Sequence, residues 1–179
     1  MAQARGDRKR AARTVRTPQT GRKAYCRSLD SPGRQPDSPP RTVADAVGAR
    51  LATLGVDQVF GLIGSGNLVV TNALRSGGAH FVAARHEGGA ITMADGWARV
   101  TGRVGVCSVH QGPGLTNTVT GLAEAVKSRT PLLVLAGDTP AAALTSNFRI
   151  DQDGLAESVG AAAERIHSPK TAEADAARA

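Results

Sequence analysis

Four short apolar stretches recur between residues 56 and 136, each followed by a glycine-rich or polar turn and most then by a segment of helical spacing. They lie at 56–60, 79–83, 104–109 and 132–136. Their brevity and their β-branched content mark them as strands. The intervening segments place apolar residues three and four apart, as at Val43, Val47, Leu51 and Leu54. This spacing predicts helices over 43–54, 67–74, 88–100, 114–127 and 153–165. Ser168-Pro169 opens a last helical turn or two. Strands alternating with helices imply βαβ units and a parallel sheet. The run Leu132-Leu133-Val134-Leu135 is apolar at every position, which fits a strand covered on both faces. The expected fold is therefore α/β, an open parallel sheet with helices on both faces.

Other architectures are excluded. The longest apolar run, 132–136, is far short of the roughly 20 residues needed to span a membrane as a helix, so no membrane association is expected. Two cysteines, Cys26 and Cys107, form no CxxC pair, which argues against a disulfide scaffold or a cysteine zinc site. The net charge of +7 sits at one end. Residues 1–40 hold ten Lys/Arg against three Asp/Glu, and residues 41–179 hold twelve of each. The basic segment also carries five of the nine prolines, with Val15 and Leu29 as its only Val, Leu or Ile. Such a stretch buries too little apolar surface to offset its ordering entropy. The chain is accordingly divided into a disordered Arg/Pro-rich tail at 1–41 and one domain at 42–179. Tyr25 is the tail's only aromatic and no helical stripe orders its arginines, so nucleic acid is not the expected partner. No apolar core of a signal peptide follows the basic start, and a cytoplasmic location is expected.

In open α/β sheets, ligands bind beyond the carboxyl ends of the strands. Here those ends carry Gly61-Leu62-Ile63-Gly64-Ser65-Gly66-Asn67, Arg85-His86-Glu87-Gly88-Gly89, His110-Gln111-Gly112-Pro113-Gly114 and Gly137-Asp138-Thr139. The first loop has the glycine spacing of a P-loop but Asn67-Leu68 where Lys-Ser/Thr is required, and it lacks the third glycine of a dinucleotide fingerprint. Glu87 opens a helix. It either complements the helix dipole or, with no side chain on the two glycines after it, offers its carboxylate to a ligand. His86 and His110 make no metal set on spacing and read as structural. Gly112-Pro113-Gly114 fixes a tight turn, and a free helix N-terminus there would give a polar pocket floor.

Arg85-His86-Glu87-Gly88-Gly89-Ala90, Met93-Ala94-Asp95-Gly96-Trp97-Ala98-Arg99, Gly102 and Gln111-Gly112-Pro113-Gly114-Leu115-Thr116-Asn117 together resemble the acetolactate synthase-like thiamine diphosphate enzymes. The resemblance is to their N-terminal, pyrimidine-binding (PYR) domain, and it runs from about Thr42 to the end. It implies the thiamine diphosphate-binding fold. It further implies that Glu87 bonds the aminopyrimidine ring, that Gly112, Pro113 and Asn117 lie near that ring, and that Gly64 lies toward the substrate. Three departures bear on the substrate. Ile63-Gly64-Ser65 stands where the family often has Pro-Gly-Gly, His110-Gln111 where many members have Thr-Ser, and Arg149-Ile150 where Gln-Glu follows the phenylalanine of an acetolactate synthase.

The family's second thiamine domain carries Gly-Asp-Gly and Asn-Asn, which bind magnesium and the diphosphate. Gly137-Asp138-Thr139 is the nearest match here, so no metal site is expected and only the pyrimidine end of the cofactor is expected to bind. The expected function is that of a truncated or split N-terminal domain of a 2-oxo acid decarboxylase or carboligase, inactive alone. It would act as a homodimer or with a chain supplying the diphosphate-binding domain. The alternative is a non-catalytic partner or regulatory domain of a complete thiamine diphosphate enzyme.

Overall fold

The structure, a computed structural model, describes residues 42–179; the segment 1–41, expected to be a disordered tail, lies outside them. Thr42 opens α1 (Val43–Thr53) with a reciprocal capping box. Its hydroxyl accepts from the Asp45 N–H, and the Asp45 carboxylate accepts from the Thr42 N–H, both at 3.1 Å. There follow β1 (Gln58–Gly61), α2 (Leu68–Ser76), β2 (His80–Ala83), α3 (Glu87–Thr101) and β3 (Gly105–Val109). The chain then runs through α4 (Pro113–Thr116), α5 (Val119–Ser128), β4 (Leu132–Ala136), α6 (Gln152–Ser158) and α7 (Ala172–Arg178).

The four strands form one parallel sheet in the order β2-β1-β3-β4. Alternate side chains feed two cores, as the period of two requires. On one face Val59 and Val106 pack with Ala46, Val47 and Leu51 of α1, Leu74 of α2 and Ala172 and Ala176 of α7. On the other, Phe60, Cys107 and Val109 pack with Ala90, Ile91 and Ala94 of α3 and Leu122 of α5. The sheet is thus covered on both faces, and all five residues of β3 are buried. Helix α3 lies close upon this strand. A Cβ at Gly105 would stand 2.3 Å from the Ala94 carbonyl oxygen, so a larger residue there would push the helix away.

Two predicted helices come out differently. The segment predicted as one helix over 114–127 is two, α4 and α5, because Thr118 interrupts it. Thr118 is fully buried, and its N–H and hydroxyl both bond the Leu115 carbonyl, at 2.9 and 2.7 Å. That tightens the chain into a turn in place of a continuing helix. The helix predicted over 153–165 stops at Ser158. Gly160 takes φ +87° and the Ala161 N–H bonds the Ala156 carbonyl at 3.1 Å, closing the helix end. Beyond it Arg165 reaches back to Asp138 and Asp153.

The strand order creates a switch point. From β1 the chain enters α2, on the face of α1 and α7; from β3 it enters α4 and α5, on the face of α3. The adjacent strands β1 and β3 therefore send their outgoing loops to opposite sides, and a crevice opens between them.

Candidate functional site

Glu87 is the first residue of α3 and is 8% exposed. His86 caps the helix, its Nδ1 accepting from the Gly88 N–H at 3.0 Å, so this histidine is structural. The carboxylate of Glu87 is held from the next loop. Asn117 Nδ2 donates to Glu87 Oε2 at 2.9 Å. Among the described residues nothing donates to Oε1. A Cβ at Gly114 would stand 3.6 Å from that oxygen, in ordinary contact. The bare position bordering the free oxygen is thus Gly114, in α4, while of the two glycines expected to leave the acid uncovered Gly88 lies against His86 and the Asn117 carbonyl and Gly89 faces open space.

Cys107, buried in β3, is near enough to feel the acid's charge. Burial, and then the Glu87 charge, push its thiol up to about 12, so it stays protonated. A groove of about 430 Å³ along α3 and α5 shares His86, Gly88 and Asn117 with this corner, but Glu87 does not line it.

Gly112 and Pro113 form the turn into α4. Gly112 adopts φ +64° and ψ −113°, a conformation suited to glycine. A Cβ there would also meet the Phe148 carbonyl oxygen at 2.6 Å. Its N–H is not free to serve as a pocket floor, because it donates to Gln152 Oε1 at 3.0 Å. Gln152 Nε2 in turn donates to the Gly137 carbonyl at 2.9 Å. One side chain therefore ties the loop after β3 to the end of β4. Pro113 is exposed at the first position of α4, where its missing N–H costs nothing.

Gly64 sits in the loop after β1. Its N–H donates to Asn67 Oδ1 at 2.8 Å, and Asn67 Nδ2 donates to the Leu62 carbonyl and Ser108 Oγ at 3.2 and 3.1 Å. Asn67 is wholly buried and sets the shape of the loop. The structure brings Glu87, Gly112, Pro113 and Asn117 to one corner of the sheet edge. Gly64 approaches through His110: Cβ atoms at Gly64 and Gly114 would stand 2.6 Å from His110 Cδ2 and 3.0 Å from its Cβ. Sequence reasoning assigned no role to Asn67 or Gln152. The signal for Asn67 was a polar residue before an apolar helical run; for Gln152 there was none.

Asp138, in the nearest match to a magnesium motif, is exposed. Asp138 pairs with Arg165 at 2.9 Å and caps the Thr139 N–H at 2.7 Å. Glu164, His167 and Asp175 do converge within 4.8 Å, but the Arg178 guanidinium already binds both acids, Glu164 at 2.7 Å. A cation of this chain's own occupies that cluster.

Comparison with known proteins gives the family. Residues 41–160 match the family model described as "Thiamine pyrophosphate enzyme, N-terminal TPP binding domain", and the chain belongs to that family. It is 44% identical over 103 residues to the probable 2-ketoarginine decarboxylase AruI of Pseudomonas aeruginosa, covering 58% of this chain and 18% of that protein. It is 48% identical over 95 residues to the acetolactate synthase isozyme 3 large subunit of Escherichia coli, covering 52% of this chain and 17% of that one. The chloroplastic acetolactate synthase of Arabidopsis thaliana is 40% identical over 106 residues, covering 59% and 16%. The matched stretch is therefore less than a fifth of each relative's length. No helix among the described residues is long and apolar enough to cross a membrane.

Proposed function

We propose that this domain binds the aminopyrimidine end of thiamine diphosphate and serves a 2-oxo acid decarboxylase or carboligase. One observation carries the reading. A mostly buried carboxylate has one oxygen fixed by Asn117 and the other left without a donor, beside the bare position of Gly114. Such an oxygen fits a ring nitrogen that shares or carries a proton. The family and the decarboxylase and synthase relatives support the cofactor and the reaction class.

When bound, thiamine diphosphate supplies a carbon nucleophile that adds to the carbonyl of a 2-oxo acid and accepts the electron pair left by carbon dioxide. Glu87 Oε1 holds or releases a proton at the pyrimidine nitrogen it faces. Asn117 keeps the carboxylate from turning away. Gly112 and Gly114 let the backbone approach a flat ring, and Gln152 holds that backbone in place. Gly137-Asp138-Thr139 lacks the last glycine of the family's metal motif, and on this reading the residues for the diphosphate and its divalent cation come from another domain, in the same polypeptide or a partner. The described domain alone binds without turning over.

Titration calorimetry with thiamine diphosphate tests this. Weak binding, equal with and without magnesium and lost in Glu87→Ala, is the expected result. Tight, magnesium-dependent binding would contradict the division of labour, and no binding at all would overturn the assignment.

A further inference from the structure

Helix α3 begins on an imidazole. His86 is extended, at φ −156° and ψ 143°, and its Nδ1 accepts from the Gly88 N–H at 3.0 Å. An amide N–H can only donate, so Nδ1 presents a lone pair and Nε2 carries the proton. The usual caps, Ser, Thr, Asp and Asn, keep an accepting oxygen across the neutral range. An imidazole accepts only while it is neutral. Protonation makes both nitrogens donors and sets a positive charge at the positive end of the helix dipole. One event therefore breaks the capping bond and opposes its return.

The turn held by this cap has little else to hold it. Glu87 is followed by Gly88 and Gly89, the poorest helix formers apart from proline. The Gly89 and Ala90 N–H groups bond the His86 carbonyl at 3.0 and 3.1 Å, so His86 receives three consecutive amides of the first turn. The ring also borders the residue that orients the acid. A Cβ at Gly88 would stand 3.1 Å from His86 Nδ1 and 3.4 Å from the Asn117 carbonyl oxygen, and all three residues line the groove along α3 and α5. His86 is exposed, so a proton reaches it without unfolding. The charged groups around the ring are Arg85 and Glu87 on either side in the chain, and Asp95 of α3 and Glu124 of α5 along the groove, both bonded to Arg99.

We propose that His86 is a positioning residue for Glu87. Neutral, its Nδ1 fixes the first turn of α3 and with it the carboxylate; protonated, it releases that turn and weakens the hold on the aminopyrimidine ring. The inference rests on the cofactor reading above and adds its regulation by pH.

The test is an NMR titration of the full chain, paired with calorimetry against thiamine diphosphate at the same pH values. The His86 ring signals report its protonation directly. As the ring becomes cationic, solvent exchange of the Gly88 amide, corrected for its intrinsic pH dependence, speeds up about fivefold, the size of a typical capping bond. Affinity for thiamine diphosphate falls by a similar factor. His86→Asn, a cap that does not titrate, removes this step from both readings. A Gly88 amide that ignores the protonation of His86, or a step that survives in His86→Asn, overturns the inference and leaves the cofactor reading standing. If the amide follows the ring but the chain binds no thiamine diphosphate at any pH, the cofactor reading falls, and the effect on binding with it, while the proton-sensitive cap stands.

Discussion

Asn117 and Glu87, thirty residues apart, share a single hydrogen bond, 2.9 Å from Nδ2 to Oε2. That bond commits one carboxylate oxygen and leaves its twin without a donor among the described residues. It also fixes which way the acid faces, since a buried carboxylate at a helix start has rotamers that would turn it aside.

Replacing Glu87 with Gln keeps the shape and a hydrogen bond but removes the ability to exchange a proton. In the chain assembled with a diphosphate-binding domain, deuterium exchange at the cofactor's reactive carbon should slow by roughly 10²–10⁴-fold. Thermal stability should be nearly unchanged. An exchange rate equal to that of the unmutated protein would return Glu87 to the role of a helix-terminal charge.

Asn117→Ala should weaken thiamine diphosphate binding by about tenfold without removing it, because the acid remains but is no longer oriented. Asn117→Asp should be worse than Asn117→Ala, since it sets a second carboxylate against Glu87. Calorimetric titration of the two variants side by side reads this order; the reverse order would show that Asn117 does not orient the acid.

Gly112→Ala should destabilise the domain by roughly 1–3 kcal/mol, from a left-handed φ imposed on an L-residue and a Cβ pressed on the Phe148 carbonyl. Urea unfolding measures it. Gln152→Leu, which removes both bonds that lock this turn to β4, should cost a similar amount.

Asp175 predicts a pH dependence. Its carboxyl is held well below the usual aspartate range, first by the His167 N–H and the Thr171 hydroxyl, with the Arg178 guanidinium adding to them against the cost of burial. A depressed folded-state value means that the unfolded chain binds the proton first. The contribution is complete above the unfolded value of about 3.9 and is lost as pH falls below it. The melting temperature should drop below about pH 4, and Asp175→Asn should start lower and fall less steeply over the same range. Parallel curves would show that Asp175 is not the group responsible.

The succession of strands and helices was legible in the chain because each strand is a short apolar run closed by a polar or glycine-rich turn, which is local information. Glu87, Gly112, Pro113 and Asn117 were legible through a family pattern, and the edge they occupy through the rule that strand ends collect ligands. Length was harder to read. The Ala-rich segment after Gly160 has helical propensity, yet one glycine at positive φ ended α6 before it, and buried Thr118 cut the preceding predicted helix in two. Neither event shows in periodicity.

What the sequence by itself determined was the set of pieces and the family. What the tertiary structure decided was which pieces meet. Asn117 reaches Glu87 because α4 lasts only one turn. Ser65 reaches His110 because β1 and β3 are neighbours whose loops leave on opposite faces. Gln152 closes the turn from forty residues away. Contacts at such separations follow from strand order and from where each helix stops, and those are settled by packing over the whole sheet, which no local stretch of residues encodes.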